Sequence, residues 1–245
     1  MARGEERAVF PIEPPIRGDW VILDEVASAL LLTRLRETNF FKSEDHPKGP
    51  VRIMKLEFYP GWMLCDFPIA PRRDGTESEE KPPVASEALG RGAHSLLFGP
   101  DGFTALTGNS LPIHEHNRLH GIFLETRTAL DSYFRFFCFF IRGEDGPFEV
   151  VSARHKLLLA ADGDGVRKPA RITSPKLVRM LGPKDAAFRA TICYGDRLHK
   201  AKFAVDAGGN VSMLDDTVVE TGVTRVPALT FINTLRFESG GPSNG

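Results

Sequence analysis

The amino-acid sequence predicts an α+β fold: a mainly antiparallel sheet of hairpins packed around one buried phenylalanine-rich helix, with one or two smaller helices outside it. Three observations carry that prediction. Leu130, Phe134, Phe137, Cys138 and Ile141 recur at helical spacing. Apolar residues alternate with polar ones over 51–58, 188–194 and 199–205. Between such segments stand turn-forming runs, among them Tyr59-Pro60-Gly61-Trp62, Gly99-Pro100-Asp101-Gly102 and Gly195-Asp196.

With 245 residues, the chain can bury a sizeable core without disulfides or metals. It reads as one domain over residues 1–245. An extended N-terminal arm covers 1–18, because Pro11, Pro14 and Pro15 remove helix donors. A mobile acidic and proline-rich loop covers 68–92, and a frayed tail covers 239–245.

After the arm, residues 24–36 read as a helix capped by Asp24, with Val26, Leu30, Leu31 and Leu35 on its buried face. Met54, Leu56 and Phe58 then share one face of a strand. The turn at 59–62 leads into a second strand through Met63, Cys65 and Phe67. Residues 94–98 and 103–107 flank Gly99-Pro100-Asp101-Gly102 as a hairpin. The phenylalanine-rich helix starts near Thr128, whose pairing with Asp131 approximates a capping box, and stops at Gly143. Its aromatics point in almost every direction, so it must be nearly engulfed.

Beyond it, 148–152 and 156–160 read as strands, and Ser174-Pro175 opens a short helix that Gly182-Pro183 ends. Phe188, Ala190, Ile192 and Tyr194 alternate, Gly195-Asp196 turns the chain, and His199, Ala201, Phe203 and Val205 alternate again. A turn over 206–210 precedes a short strand at 211–214, and Leu229, Phe231, Leu235 and Phe237 supply the final alternation.

Composition removes several classes of function. Residues 1–10 carry charges of both signs and no apolar run, which argues against a secretory leader. The most apolar stretch, 136–141, is far shorter than the roughly 20 residues a membrane helix needs. Cys65, Cys138 and Cys193 are odd in number and set in apolar patterns, as reduced core thiols are, so the expected location is cytoplasmic. No nucleophile elbow, phosphate-binding Gly-Lys-Ser/Thr loop, His-Glu-x-x-His pair or dinucleotide fingerprint occurs.

Two clusters remain. His114, His116 and His120 lie within seven residues, and on a strand His114 and His116 would point to one face, as ligands of a divalent transition metal such as zinc, iron or nickel do. Over about 15 residues this segment resembles the cupin metal motif, in which a glycine precedes a His-x-His pair. Gly108, His114 and His116 match it, the position where a glutamate is expected falls on His120 or on residues 117–119 nearby, and Glu125 is the candidate carboxylate. The resemblance implies a small metal-dependent enzyme; the competing reading is an exposed polar loop. Asp162-Gly163-Asp164-Gly165 lacks the remainder of a calcium loop and reads as a turn, and Asp215 with Asp216 reads as a solvated strand end.

The second cluster is electrostatic. Net charge is −1, yet residues 167–202 hold ten Lys/Arg against two acids, a window of +8 that leaves −9 elsewhere. Within it, Arg189, Lys200 and Lys202 are candidates for contacting an anionic partner, and strand parity places Lys200 and Lys202 on the face opposite His199, Ala201 and Phe203. The functional expectation is a non-catalytic intracellular binding or assembly subunit. Its basic region would contact an acidic protein partner or nucleic acid, with no membrane involved; the metal-dependent enzyme is the alternative.

Overall fold

In a computed structural model of the chain, residues 12–38, 49–69, 91–151, 156–159, 172, 176–180, 185–226, 229–232 and 235–238 are described. The expected tail and Asp162-Gly163-Asp164-Gly165 lie outside these residues, as do residues 1–11 of the arm and 70–90 of the acidic loop. The ends of that loop, 68–69 and 91–92, belong to strands.

In chain order the elements are β1 (Val21–Ile22), α1 (Glu25–Glu37), β2 (Arg52–Lys55), β3 (Met63–Ile69), β4 (Arg91–Gly99), β5 (Gly102–Ala105), α2 (Leu111–His120) and α3 (Arg127–Phe140). There follow β6 (Arg142–Gly143), β7 (Gly146–Pro147), β8 (Glu149–Val150), β9 (Lys156–Leu159), β10 (Lys176–Met180), β11 (Ala186–Tyr194) and β12 (Arg197–Val205). The last are β13 (Val211–Glu220), β14 (Val223–Val226), β15 (Leu229–Ile232) and β16 (Leu235–Glu238).

The class is mixed, with mostly antiparallel sheets and three helices among the described residues. One sheet has the order β1-β2-β3-β4-β16-β15, with β5 also on β4; a second has the order β10-β11-β12-β13, with β8 also on β11. β14 pairs β9, and β6 pairs β7. The turn chemistry acts where expected: Gly61 and Gly102 take positive φ (84° and 118°), and Gly195 (57°) sets the register Tyr194 opposite Arg197.

One apolar cluster includes Met54, Leu64 and Leu97 of the first sheet, Phe188 and Phe203 of the second, and Tyr133, Phe134, Phe136 and Phe140 of α3. Phe134 stacks on Phe188 at 4.7 Å between ring centroids and meets Phe203 edge-on at 4.9 Å, while Phe139 approaches Phe231 at 6.0 Å. The cap of α3 is Thr126, whose hydroxyl accepts from the Ala129 amide at 3.1 Å, and not the expected Thr128/Asp131 box.

Three other expectations are corrected. Asp24 does cap α1, accepting from the Ala27 amide at 2.8 Å, but Val26 and Leu30 are 70% and 68% exposed. Its buried face is Ser28, Leu31, Leu32 and Leu35, because the Ser28 hydroxyl accepts from the Val51 amide and so draws that stripe onto the sheet. Residues 176–180, expected as helix, form β10 and pair with β11, since the ladder supplies partners that a five-residue helical segment would lack. β13 runs to Glu220, so Asp215 and Asp216 stand mid-strand.

The first sheet closes around a charge. Asp66, fully buried on β3, accepts from Arg52 Nε (2.9 Å) and Nη2 of β2, Arg236 Nη2 of β16 (3.0 Å) and Ser95 Oγ of β4 (2.7 Å). The two guanidiniums also hold the arm: Arg52 donates to the Ile12 and Glu13 carbonyls, and Arg236 donates to the Glu13 carbonyl, each at 2.8 Å. Removing the acid strands two buried cations, a loss of about 3–5 kcal/mol for a broken buried pair. Asp66→Asn is expected to lower folding stability by that order, read from urea midpoints; a shift below about 1 kcal/mol would show that the cluster is dispensable.

Candidate functional site

The β11–β12 hairpin directs Phe188, Ala190, Ile192, Ala201, Phe203 and Val205 into the core, so the intervening positions face away from it. At one end of this outer face Leu198 and Cys193 are covered by Val151, Leu157 and Val223. The other end is open. There the register sets Lys176 of β10 beside Arg189 of β11, Arg189 beside Lys202 of β12, and Lys202 beside Asp215 of β13, and all four are exposed. Lys200, also exposed, lies between Thr191 and Thr217.

The electrostatics along this row are uneven. Lys202 Nζ donates to Asp215 Oδ2 at 2.6 Å, and that bond, with the charge of the lysine, holds the Asp215 carboxyl below its ordinary range. Lys176, Arg189 and Lys200 make no ion pair among the described residues. The expected parity of Lys200 and Lys202 thus matches the strand, and the structure brings Arg189 into the same row. Asp216 points its carboxylate to His199 Nδ1 at 2.8 Å, so both neighbouring acids have basic partners that sequence reading had not supplied.

The histidines meet a different fate. Residues 111–120 are the helix α2 and not a strand, with Pro112 at its start and Gly121 (φ 78°) ending it. Ile113, His116 and Asn117 fall at helical spacing and are buried, which outweighs the two-residue spacing of His114 and His116. His116 and His120, one turn apart, lie 4.7 Å from each other and 4.2 and 4.6 Å from the Trp62 ring. His116 Nδ1 is 3.0 Å from Thr104 Oγ1, and His120 Nδ1 is 3.2 Å from Asp101 Oδ2. His114 turns instead to Phe137, and Glu125 is exposed beyond the helix. The strand geometry required by the cupin motif is absent here. Among the described residues no three His, Cys, Asp or Glu side chains are grouped to hold a metal.

All three cysteines are buried free thiols, and burial raises each pKa, that of Cys193 to about 12, which leaves them poor nucleophiles. No helix of the described residues is long and apolar enough to cross a membrane.

Sequence reading missed the anchor of the β12–β13 turn and the extent of β13. Tyr133 Oη donates to the Gly209 carbonyl (2.6 Å), Asn117 Nδ2 donates to the Gly208 carbonyl and to Tyr133 Oη (3.0 Å each), and Tyr59 Oη donates to Asn117 Oδ1. Gly209 is in the left-handed region (φ 80°), and a Cβ there would fall 2.5 Å from Asn117 Nδ2. β13 pairs only with β12 among the described residues and leaves Met213, Leu214, Val218 and Val219 exposed. Its run of two apolar residues, two acids and, after Thr217, two further apolar residues does not alternate, so periodicity stops short of it.

Comparison of the chain with protein-family models, with curated proteins and with solved structures found no match.

The His116 environment yields a pH prediction. Burial, and then the nearby His120, lower the His116 pKa from 6.5 to about 4. The unfolded chain therefore binds the proton first as pH falls, so the stability present above pH 6.5 is lost progressively between 6.5 and 4. His116→Gln is expected to remove about 2 kcal/mol of that fall once solvent screening is allowed for, seen as a flatter urea midpoint against pH. An unchanged slope would place the acid sensitivity elsewhere.

Proposed function

We propose that this protein is a non-catalytic intracellular binding or assembly subunit that receives an acidic protein segment on the outer face of the β10–β13 sheet. The observation carrying this reading is the row Lys176, Arg189 and Lys202, three like charges in direct cross-strand register, of which Lys202 alone has an acid, Asp215, beside it. Like charges directly opposite each other destabilise a sheet, by roughly 0.2–1 kcal/mol per pair. An anionic partner offsets that repulsion, and Lys200 extends the cationic surface by one position pair along β12.

Two neighbouring features favour a protein over nucleic acid. At the sheet edge β13 exposes Leu214 and Val219 beside its two register breaks, apolar surface of the sort that protein interfaces bury, while Met213 and Val218 stand opposite Phe203 and His199 on the other face. Beside Lys202 it also adds Asp215, which repels phosphates and leaves the cationic row short of the roughly 6–10 phosphate contacts of strong nucleic-acid binders, while Asp216 lies on the opposite face beside Ala201. The buried reduced thiols support an intracellular setting. The same reading takes the chain as one domain packed around α3, supported by the aromatic contacts of Phe134 and Phe139 with both sheets.

The test uses a fluorescent glutamate-rich peptide and a duplex oligonucleotide as probes. The protein is expected to bind the peptide at low ionic strength, and Arg189→Glu with Lys200→Glu to weaken it about tenfold or more, with a moderate salt dependence. Peptide binding that is absent, or indifferent to the double variant, rejects the proposal. Oligonucleotide binding with a steep logarithmic salt slope would move the reading to nucleic acid.

A further inference from the structure

A second surface, built from the segment after α3, has the features of a small-molecule site. The hairpin β6–β7 turns through Gly143-Glu144-Asp145-Gly146 and walls an open cleft of about 510 Å³, whose apolar side is Pro147, Leu229 and Phe231. That volume falls within the roughly 300–1,000 Å³ of ordinary ligand pockets.

Arg142 lines this cleft. Its guanidinium lies 5.0 Å from the centroid of Phe231, and Nη2 donates to the Thr107 carbonyl at 2.6 Å. Its own amide donates to the Gly108 carbonyl at 2.8 Å. It lies so close to the backbone of Gly108 (φ 89°) that a Cβ there would fall 2.2 Å from Arg142 Nε. The cation is thus held by an aromatic face, a carbonyl and a glycine that leaves room for it. It has no carboxylate partner among the described residues, and the Thr107 carbonyl takes only one of its five N–H donors. Partial burial lowers its pKa, as for a cation with part of its hydration removed.

The rim has the opposite sign. Glu144 and Asp145 are exposed on the turn, whose shape is fixed by the Asp145 amide donating to Tyr194 Oη at 3.1 Å, and neither acid has a cationic partner among the described residues. One fixed cation in a cleft whose lining also includes two exposed acids disfavours a dianion such as phosphate. It suits a molecule carrying one anionic and one cationic group. We infer that this cleft binds a small zwitterion of dipeptide size, its carboxylate on Arg142, its ammonium toward Glu144 and Asp145, and its apolar body over Phe231 and Leu229. This site is separate from the basic row and does not depend on it.

The test titrates leucyl-phenylalanine, its N-acetyl and C-amide derivatives, and inorganic phosphate into the full-length protein, following the amide resonances of Thr107, Gly108, Gly143 and Gly146. The free dipeptide is expected to give saturable shifts, and the C-amide to bind about tenfold or more weakly because it loses the charge-assisted bonds to Arg142. Arg142→Gln is expected to abolish the difference between acid and amide. Because that variant could disturb the fold, Glu144→Gln with Asp145→Asn, both on the exposed turn, gives a second readout: the free dipeptide weakens several-fold and the N-acetyl form does not. Equal binding of acid and amide, tighter binding of phosphate than of dipeptide, or no saturable shift overturns the inference.

Discussion

One buried carboxylate organises the first sheet. Asp66 lies where β2, β3, β4 and β16 meet, and each of its bonds crosses between strands, so the order and register of that sheet are written into its donors. A slip of one residue would turn Arg52 or Ser95 to the other face and leave charge buried without partners. The cluster also joins distant parts of the chain, because both guanidiniums reach the arm carbonyls at residues 12 and 13. Through β16 it positions β15, and with it Phe231, the ring on which Arg142 rests. A structural ion cluster and the wall of a solvent cleft therefore share one support.

The second sheet is anchored differently. Its β12–β13 turn is held from beneath by Tyr133 and Asn117, neutral groups bonded to carbonyls and not to charges. Burial raises the Tyr59 and Tyr133 pKa values further, so these bonds persist across the physiological pH range. The cationic row is consequently presented on a surface whose backbone is already fixed, which would reduce the ordering cost of meeting the proposed partner.

Local chemistry was legible in the sequence; long-range pairing was not. Asp24 could be recognised as a cap, and Gly61, Gly102 and Gly195 as turn glycines, because the energies that place them act within four residues. The strand parity of Lys200 and Lys202 followed from alternation alone, whereas setting Arg189 beside Lys202 required the register of two paired strands. The Asp66 partners are 14, 29 and 170 residues away, beyond any pattern in one sequence. At α2 and β10 the error ran from spacing to structure. His-x-His alternates like a strand, but Ile113, His116 and Asn117 bury at helical spacing; Ser-Pro announces a helix, but the ladder on β11 prevails. Arg142 carries no local sequence signal, and only the fold shows Gly108 and Phe231 closing on it.

The rim formed by β13 has one more implication. Its register against β12 breaks twice, between Leu198 and His199 and between Lys202 and Phe203. Such breaks coil a strand, and Asp215 and Asp216 set like charges against each other when two rims approach head to tail about their midpoint. Copies of the chain are thereby discouraged from zipping edge to edge into filaments.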